Sequence, residues 1–170
     1  ELVGNWSLAI GRFEQVDDPQ GVPARVKRCV GRDVAVVNPR LVVNELALLV
    51  AANKTVHVQR QGKMKTGNMH TEFLYHLSPG TNIANAVQTF GVAELGHTSP
   101  IIVCVFDPAP DVLTSIRSCV GGSVIDSAES YFAAVDLKRL VQIFKLSKEV
   151  EGVDSIVDAV VTKIAIKQAC

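Results

Sequence analysis

The sequence predicts an α+β domain with few strands and many helices, and three observations carry that expectation. First, 170 residues is the length of one ordinary domain, enough to bury one core. Second, apolar residues make up 48% and charged residues only 20%, the balance of a chain that folds by burying Val, Ile and Leu. Third, short apolar runs of strand length alternate with longer helix-patterned segments, without an internal repeat, a low-complexity stretch or a linker long enough to divide the chain. Residues 1–170 are therefore expected to form a single domain.

Taken in order, Trp6 to Phe13 mixes aromatic and aliphatic residues as a strand does. Asp17-Asp18-Pro19-Gln20-Gly21 is a turn, and residues 22–31 follow as a basic helix with Arg25, Lys27 and Arg28. Val34 to Val37 is a short apolar strand stopped by Asn38-Pro39. Asn44 caps a helix whose first turn holds Glu45, where a negative charge suits the dipole, and Gly62 ends it after Gln61. Leu46 to Ala52 is apolar all round and predicts a buried half. Beyond it Asn53, Lys54, His57, Arg60 and Gln61 recur at steps of three and four and predict a wet face.

Met69 to Leu77 reads as a helix with Met69, Phe73 and Leu77 on one line, ended by Ser78-Pro79-Gly80. Asn82 caps another with Ile83, Ala86, Val87 and Phe90 on one face and Gly91 past its end. Ile101 to Phe106 is apolar on both faces, as a central strand is. Pro108 to Val120 is a turn and a helix, Val124-Ile125 a short strand, and Asp136 to Phe144 and Val153 to Lys167 are helices.

Composition and motifs exclude several classes of function. Seventeen basic residues balance seventeen acidic ones, so a nucleic-acid surface has to be a local patch. Cys29, Cys104, Cys119 and Cys170 form no C-x-x-C pair and have no His-x-x-x-His nearby. A zinc site is not expected, and the four are read as free thiols of a reducing compartment. No basic region followed by a long apolar run marks a secretory signal, and the longest apolar run, Leu46 to Ala52, is too short to span a bilayer.

Gly62-Lys63 is not the end of a phosphate-binding loop, because His57 stands where the first glycine belongs and Met64 where a Ser or Thr would hold magnesium. G-x-G-x-x-G, G-x-S-x-G and the kinase signatures are lacking as well. His57, His70, His76 and His97 are scattered, and surface or hydrogen-bonded histidines are the simpler reading. No catalytic residue, metal ligand set or cofactor is assigned.

Two stretches stand out. No acidic residue occurs between Glu45 and Glu72, while Lys54, Arg60, Lys63 and Lys65 are basic and His57 and His70 can be. Such a stretch anchors phosphates, although a solvated helix face and polar loop is the preferred account on composition alone. In the last helix Val153, Ile156, Val160 and Ile164 share one stripe that Val157 and Val161 widen, with Ile166 pointing elsewhere. Either the surplus apolar surface meets another protein or the helix packs deeply between others.

The segments LLVAANKTVH (48–57), GKMKT (62–66) and TEFLYHLSP (71–79), followed by Asn82-Ile83, Ala86 and Phe90-Gly91, closely resemble the TPRKB family, the PRPK-binding proteins of the EKC/KEOPS complex. Asn38-Pro39 and KLS at 145–147 fit the same pattern. The match covers the middle third of the chain, with weaker agreement in the C-terminal helices.

The resemblance implies a small, mainly antiparallel sheet surrounded by several helices. It implies no catalysis and no cofactor. It implies a PRPK-like kinase/ATPase as partner, the other KEOPS subunits through that kinase, and tRNA, with no membrane. The subunit would hold the tRNA acceptor end, with its single-stranded tail, while the complex makes threonylcarbamoyladenosine beside the anticodon, in cytoplasm and nucleus. Lys54, Arg60, Lys63 and Lys65 then become candidate RNA contacts, and Ile156, Val157, Val160 and Ile164 candidate kinase contacts. Two alternatives stay open: a pure protein-interaction regulator of the kinase without RNA binding, and an enzyme assembled from residues such as His70, His76 and Glu72.

Overall fold

The computed structural model describes residues 5–125, 134–147, 150 and 152–167. Among them are four strands, β1 (Leu8–Asp17), β2 (Ala35–Val37), β3 (Thr98–Phe106) and β4 (Ser123–Val124). The helices are α1 (Val22–Val30), α2 (Glu45–Arg60), α3 (Met69–Leu77), α4 (Ile83–Phe90), α5 (Val112–Val120), α6 (Leu137–Ile143) and α7 (Val153–Ile166). The sheet order is β2-β3-β1-β4 and every neighbouring pair is antiparallel. The fold is α+β, as expected. Two interleaved units, β1–α1–β2 and β3–α5–β4, build the sheet in the split β-α-β manner, and α2 to α4 are inserted between β2 and β3.

β3 explains the layering. Ile101, Val103 and Val105 share a core with Val22 and Val26 of α1 and Val112, Ile116 and Val120 of α5. Ile102, Cys104 and Phe106 alternate to the other side, into a larger core with Leu48 and Ala51 of α2, Phe73 and Leu77 of α3, Leu140 of α6 and Val160 and Ile164 of α7. A strand covered on both faces has no polar side to show, hence its continuous apolar run.

β1 runs further than the sequence suggests. It begins at Leu8 rather than Trp6 and continues past Phe13, because β3 offers partners as far as Val16↔Ser99 and Asp17↔Thr98. The register shifts between Phe13 and Val16, where Gln15 takes a positive φ of 53°. This is a bulge. Gly122 closes against it with φ 79°, and a Cβ there would lie 2.2 Å from the Glu14 carbonyl oxygen. Only glycine fits that approach.

Asparagine caps set the helix starts on the inserted side. Asn44, Asn68 and Asn82 accept through Oδ1 from Ala47 N at 3.0 Å, Thr71 N at 2.9 Å and Asn85 N at 3.0 Å. α2 ends as expected, with Gly62 at φ 64° and Lys63 N donating to Val58 O at 2.9 Å. Its first half is less enclosed than the apolar run suggested. Leu46 is 52% exposed, because Ala47, Leu48, Ala51 and Ala52 face the core and Leu46 lies on the opposite side.

Cys29, Cys104 and Cys119 are free thiols, and Cys170 lies outside the described residues. No helix among the described residues is long and apolar enough to cross a membrane.

Candidate nucleic-acid and partner surfaces

The basic loop between α2 and α3 is fixed from below by a buried carboxylate. Glu72 sits in the first turn of α3 with none of its surface exposed. Its Oε2 accepts from the backbone of Lys65 at 3.0 Å and of Thr66 at 2.8 Å. The Thr66 hydroxyl donates to Asn68 O at 2.9 Å. These bonds hold the loop's backbone down, while the side chains of Lys63 and Lys65 stand exposed and Arg60 is exposed at the end of α2.

Lys54 does not join them. The expectation placed it on a wet helix face, but its ammonium turns toward α7 and donates to Ala165 O at 2.8 Å and to Lys167 O. The end of a helix leaves carbonyls without intrahelical partners, and a lysine from a neighbouring helix satisfies them here. Partial burial lowers the Lys54 pKa. Lys54 is corrected from a surface cation to a tie between α2 and α7.

Lys167, which the sequence reading did not single out, completes that tie. It follows α7 directly, is only 9% exposed, and donates through Nζ to Ser78 O at 2.8 Å and to Tyr75 O. The same ammonium lies 3.4 Å from the centre of the Tyr75 ring, and the Lys65 ammonium lies 5.8 Å from that centre. Burial first, then the positive charge of Lys54, push the Lys167 pKa down to about 8; Glu72 opposes and Lys65 adds to the lowering. His76 is fully buried, with Nε2 3.4 Å from Glu72 Oε1. Its pKa is lowered to about 4, by burial first and then by Lys167, Lys54 and Lys65, so the ring is neutral at physiological pH.

Glu72 and His76 thus meet, as an enzyme reading would want, but both are enclosed completely and the pair has no opening to a substrate. His70 lies apart from them, on a cleft.

That cleft, about 380 Å³, opens where the edge strand β2 meets the start of α3. Val34, Ala35 and Val36 form one wall, Leu74, Val87 and Val92 supply apolar surface, and Asn68, His70 and Thr71 supply polar groups. His70 Nε2 is buried without a hydrogen-bond partner. Burial lowers the His70 pKa and Asp33 partly opposes it. Asn68, His70 and Thr71 follow the basic loop directly, so Lys63 and Lys65 precede the cleft's polar wall in one continuous stretch. Four separate segments build this cleft, which is why no single sequence motif announced it.

The stripe on α7 is turned mostly inward. Val160 is 1% and Ile164 2% exposed, both inside the chain's own core, so neither stands free for a partner, contrary to the expectation. Ile156 and Val157 are half-buried, and Val153 at the start of the helix is 59% exposed. The apolar surface left for contact on α7 lies at its two ends, Val153 with the half-buried Ile156 and Val157 at the start and Ile166, 68% exposed, at the finish.

The geometry defines an α+β domain with a pinned basic loop beside a cleft and a partly bare C-terminal helix. The sequence of the family described as "Kinase binding protein CGI-121" matches residues 13–168, and the chain belongs to that family. It is similar to the EKC/KEOPS complex subunit TPRKB of Danio rerio, 34% identical over 134 residues that cover 78% of this chain and 75% of the relative. It is also similar to the EKC/KEOPS complex subunit cgi121 of Aspergillus fumigatus, 25% identical over 67% of this chain and 62% of that protein. The CGI121 subunit of Candida glabrata is 23% identical over 85% of this chain and 82% of its own length.

Proposed function

We propose that this chain is a non-catalytic KEOPS subunit that binds a PRPK-like kinase/ATPase on one side and the acceptor end of tRNA on the other. In this way it supports threonylcarbamoyladenosine modification beside the anticodon, in cytoplasm and nucleus. The kinase half rests on the family, whose description is kinase binding, and on homologues named as complex subunits. The other KEOPS subunits are then reached through the kinase.

One observation carries the RNA half. The Lys63–Lys65 loop is held by Glu72 next to a cleft of about 380 Å³ with mixed polar and apolar walls. Phosphates meet the exposed lysines and Arg60, and the unstacked terminal base enters the cleft. There Leu74 and Val92 offer apolar surface and Asn68, His70 and Thr71 offer hydrogen bonds to a base edge. Such a role needs no nucleophile, metal or cofactor, and none is proposed.

The test compares full-length tRNA with the same tRNA trimmed of its single-stranded 3′ end. Binding at least tenfold weaker after trimming supports the reading, and equal binding rejects it. The competing reading, a kinase regulator that does not touch RNA, gains from the tie of Lys54 to the end of α7, which leaves Arg60, Lys63 and Lys65 as the exposed arginine and lysines of this stretch.

A further inference from the structure

We infer that Glu72 and Lys167 are positioning residues that couple the two surfaces, so that a kinase bound on α7 and RNA bound on the basic loop raise each other's affinity. The inference rests on the function proposed above, and its observations are a chain of direct contacts.

The basic loop is held by Glu72 Oε2 through the Lys65 and Thr66 amides. Three residues on, Tyr75 carries two ammonium groups near one ring, that of Lys167 at 3.4 Å and that of Lys65 at 5.8 Å. Lys167 is tied to α3 through Tyr75 O and Ser78 O, and its own carbonyl is tied to α2 through Lys54. The loop that would meet phosphate and the residue that closes the helix that would meet kinase therefore reach the same buried ring, and the loop's anchor Glu72 lies three residues before that ring on α3.

Among the described residues the charges in this cluster are unbalanced. Lys54 from α2, Lys65 from the loop and Lys167 after α7 act on His76 together, and Glu72 is the acidic group that acts on Lys167. A phosphate beside Lys65 offsets the repulsion between Lys65 and Lys167 and favours the seated position of Lys167. A partner that grips the exposed part of α7 steadies Lys167 from the other end, and so favours the loop geometry that Glu72 maintains. Two ligands that favour one arrangement of a shared element bind cooperatively, and the coupling is reciprocal.

The experiment measures tRNA affinity of the full chain with and without saturating kinase, and kinase affinity with and without saturating tRNA. The expected coupling is about fivefold or more and equal in both directions. Lys167→Met keeps the apolar stem and removes the charge. Its coupling factor should fall to about one while each ligand still binds alone, and Lys167→Arg should retain most of the coupling. A merely structural role would weaken both bindings and leave the factor intact. Should Lys167→Met fail to fold, Lys167→Gln, which keeps a donor but no charge, tests the same link with the same expectation. A factor of one in the native chain, with both ligands bound, overturns the coupling and leaves the proposed function standing. A full factor in the variants overturns it as well, and no tRNA binding by the native chain overturns both readings.

Discussion

Lys167 donates through Nζ to the carbonyls of Tyr75 and Ser78, and the same ammonium lies 3.4 Å from the centre of the Tyr75 ring. One residue past the last helix thus fastens that helix to α3. A buried ammonium over an aromatic face, with two carbonyl acceptors, is worth having only if the geometry holds, because each acceptor left unmet costs the desolvation of a polar group. Lys167→Ala should lower stability by about 2–3 kcal/mol. Urea unfolding of the variant beside the native chain measures it.

His76 gives the fold a pH dependence with a definite sign. Its pKa of about 4 lies below the ordinary 6.5, so the unfolded chain binds this proton more readily than the native one. The stabilisation is complete above pH 6.5 and is lost as pH falls toward 4. Between pH 7 and pH 5 it amounts to roughly 2 kcal/mol. Melting curves at the two pH values should show that difference in the native chain, and His76→Gln should flatten it.

Gly122 tests the bulge. Alanine there would place a Cβ 2.2 Å from the Glu14 carbonyl oxygen while holding a φ of 79° that L-residues avoid. Gly122→Ala should cost about 2–3 kcal/mol, whereas Gly121→Ala, with a positive φ but open space around it, should cost less. Chemical denaturation of the two variants ranks them.

The exposed start and the buried middle of α7 separate folding from partner binding. Val153→Asp changes an exposed position and should leave the melting temperature almost unchanged while weakening kinase co-elution about tenfold. Val160→Asp buries an unpaired charge in the core and should unfold the chain. Co-elution of native strength by Val153→Asp would move the kinase surface off this half of the helix.

These contrasts show what the sequence could and could not reveal. Periodicity and caps were enough for α2, α3 and α4, because Asn44, Asn68 and Asn82 act within three residues of themselves. The two-sided burial of β3 was equally legible from its unbroken apolar run. Lys54 was not legible, since the carbonyls it meets belong to residues 111 and 113 positions away. The inward turn of Val160 and Ile164 was out of reach for a related reason. An apolar stripe says that something covers it, and only the position of α2, α3 and α6 says that the cover is the chain itself. Lys167, a lone lysine after an apolar helix, gave only its position as a signal. Of the basic stretch, Arg60, Lys63 and Lys65 stand where a phosphate could meet them.

The most direct test of the account is the salt dependence of tRNA affinity for the native chain and for the Lys63→Gln/Lys65→Gln variant. Two lost phosphate contacts should weaken binding and lower the slope of log affinity against log salt by about 1.4, at roughly 0.7 per contact to single-stranded RNA, with the melting temperature unchanged. An unchanged slope and affinity would contradict the account and leave a kinase-binding domain that does not hold RNA through this loop.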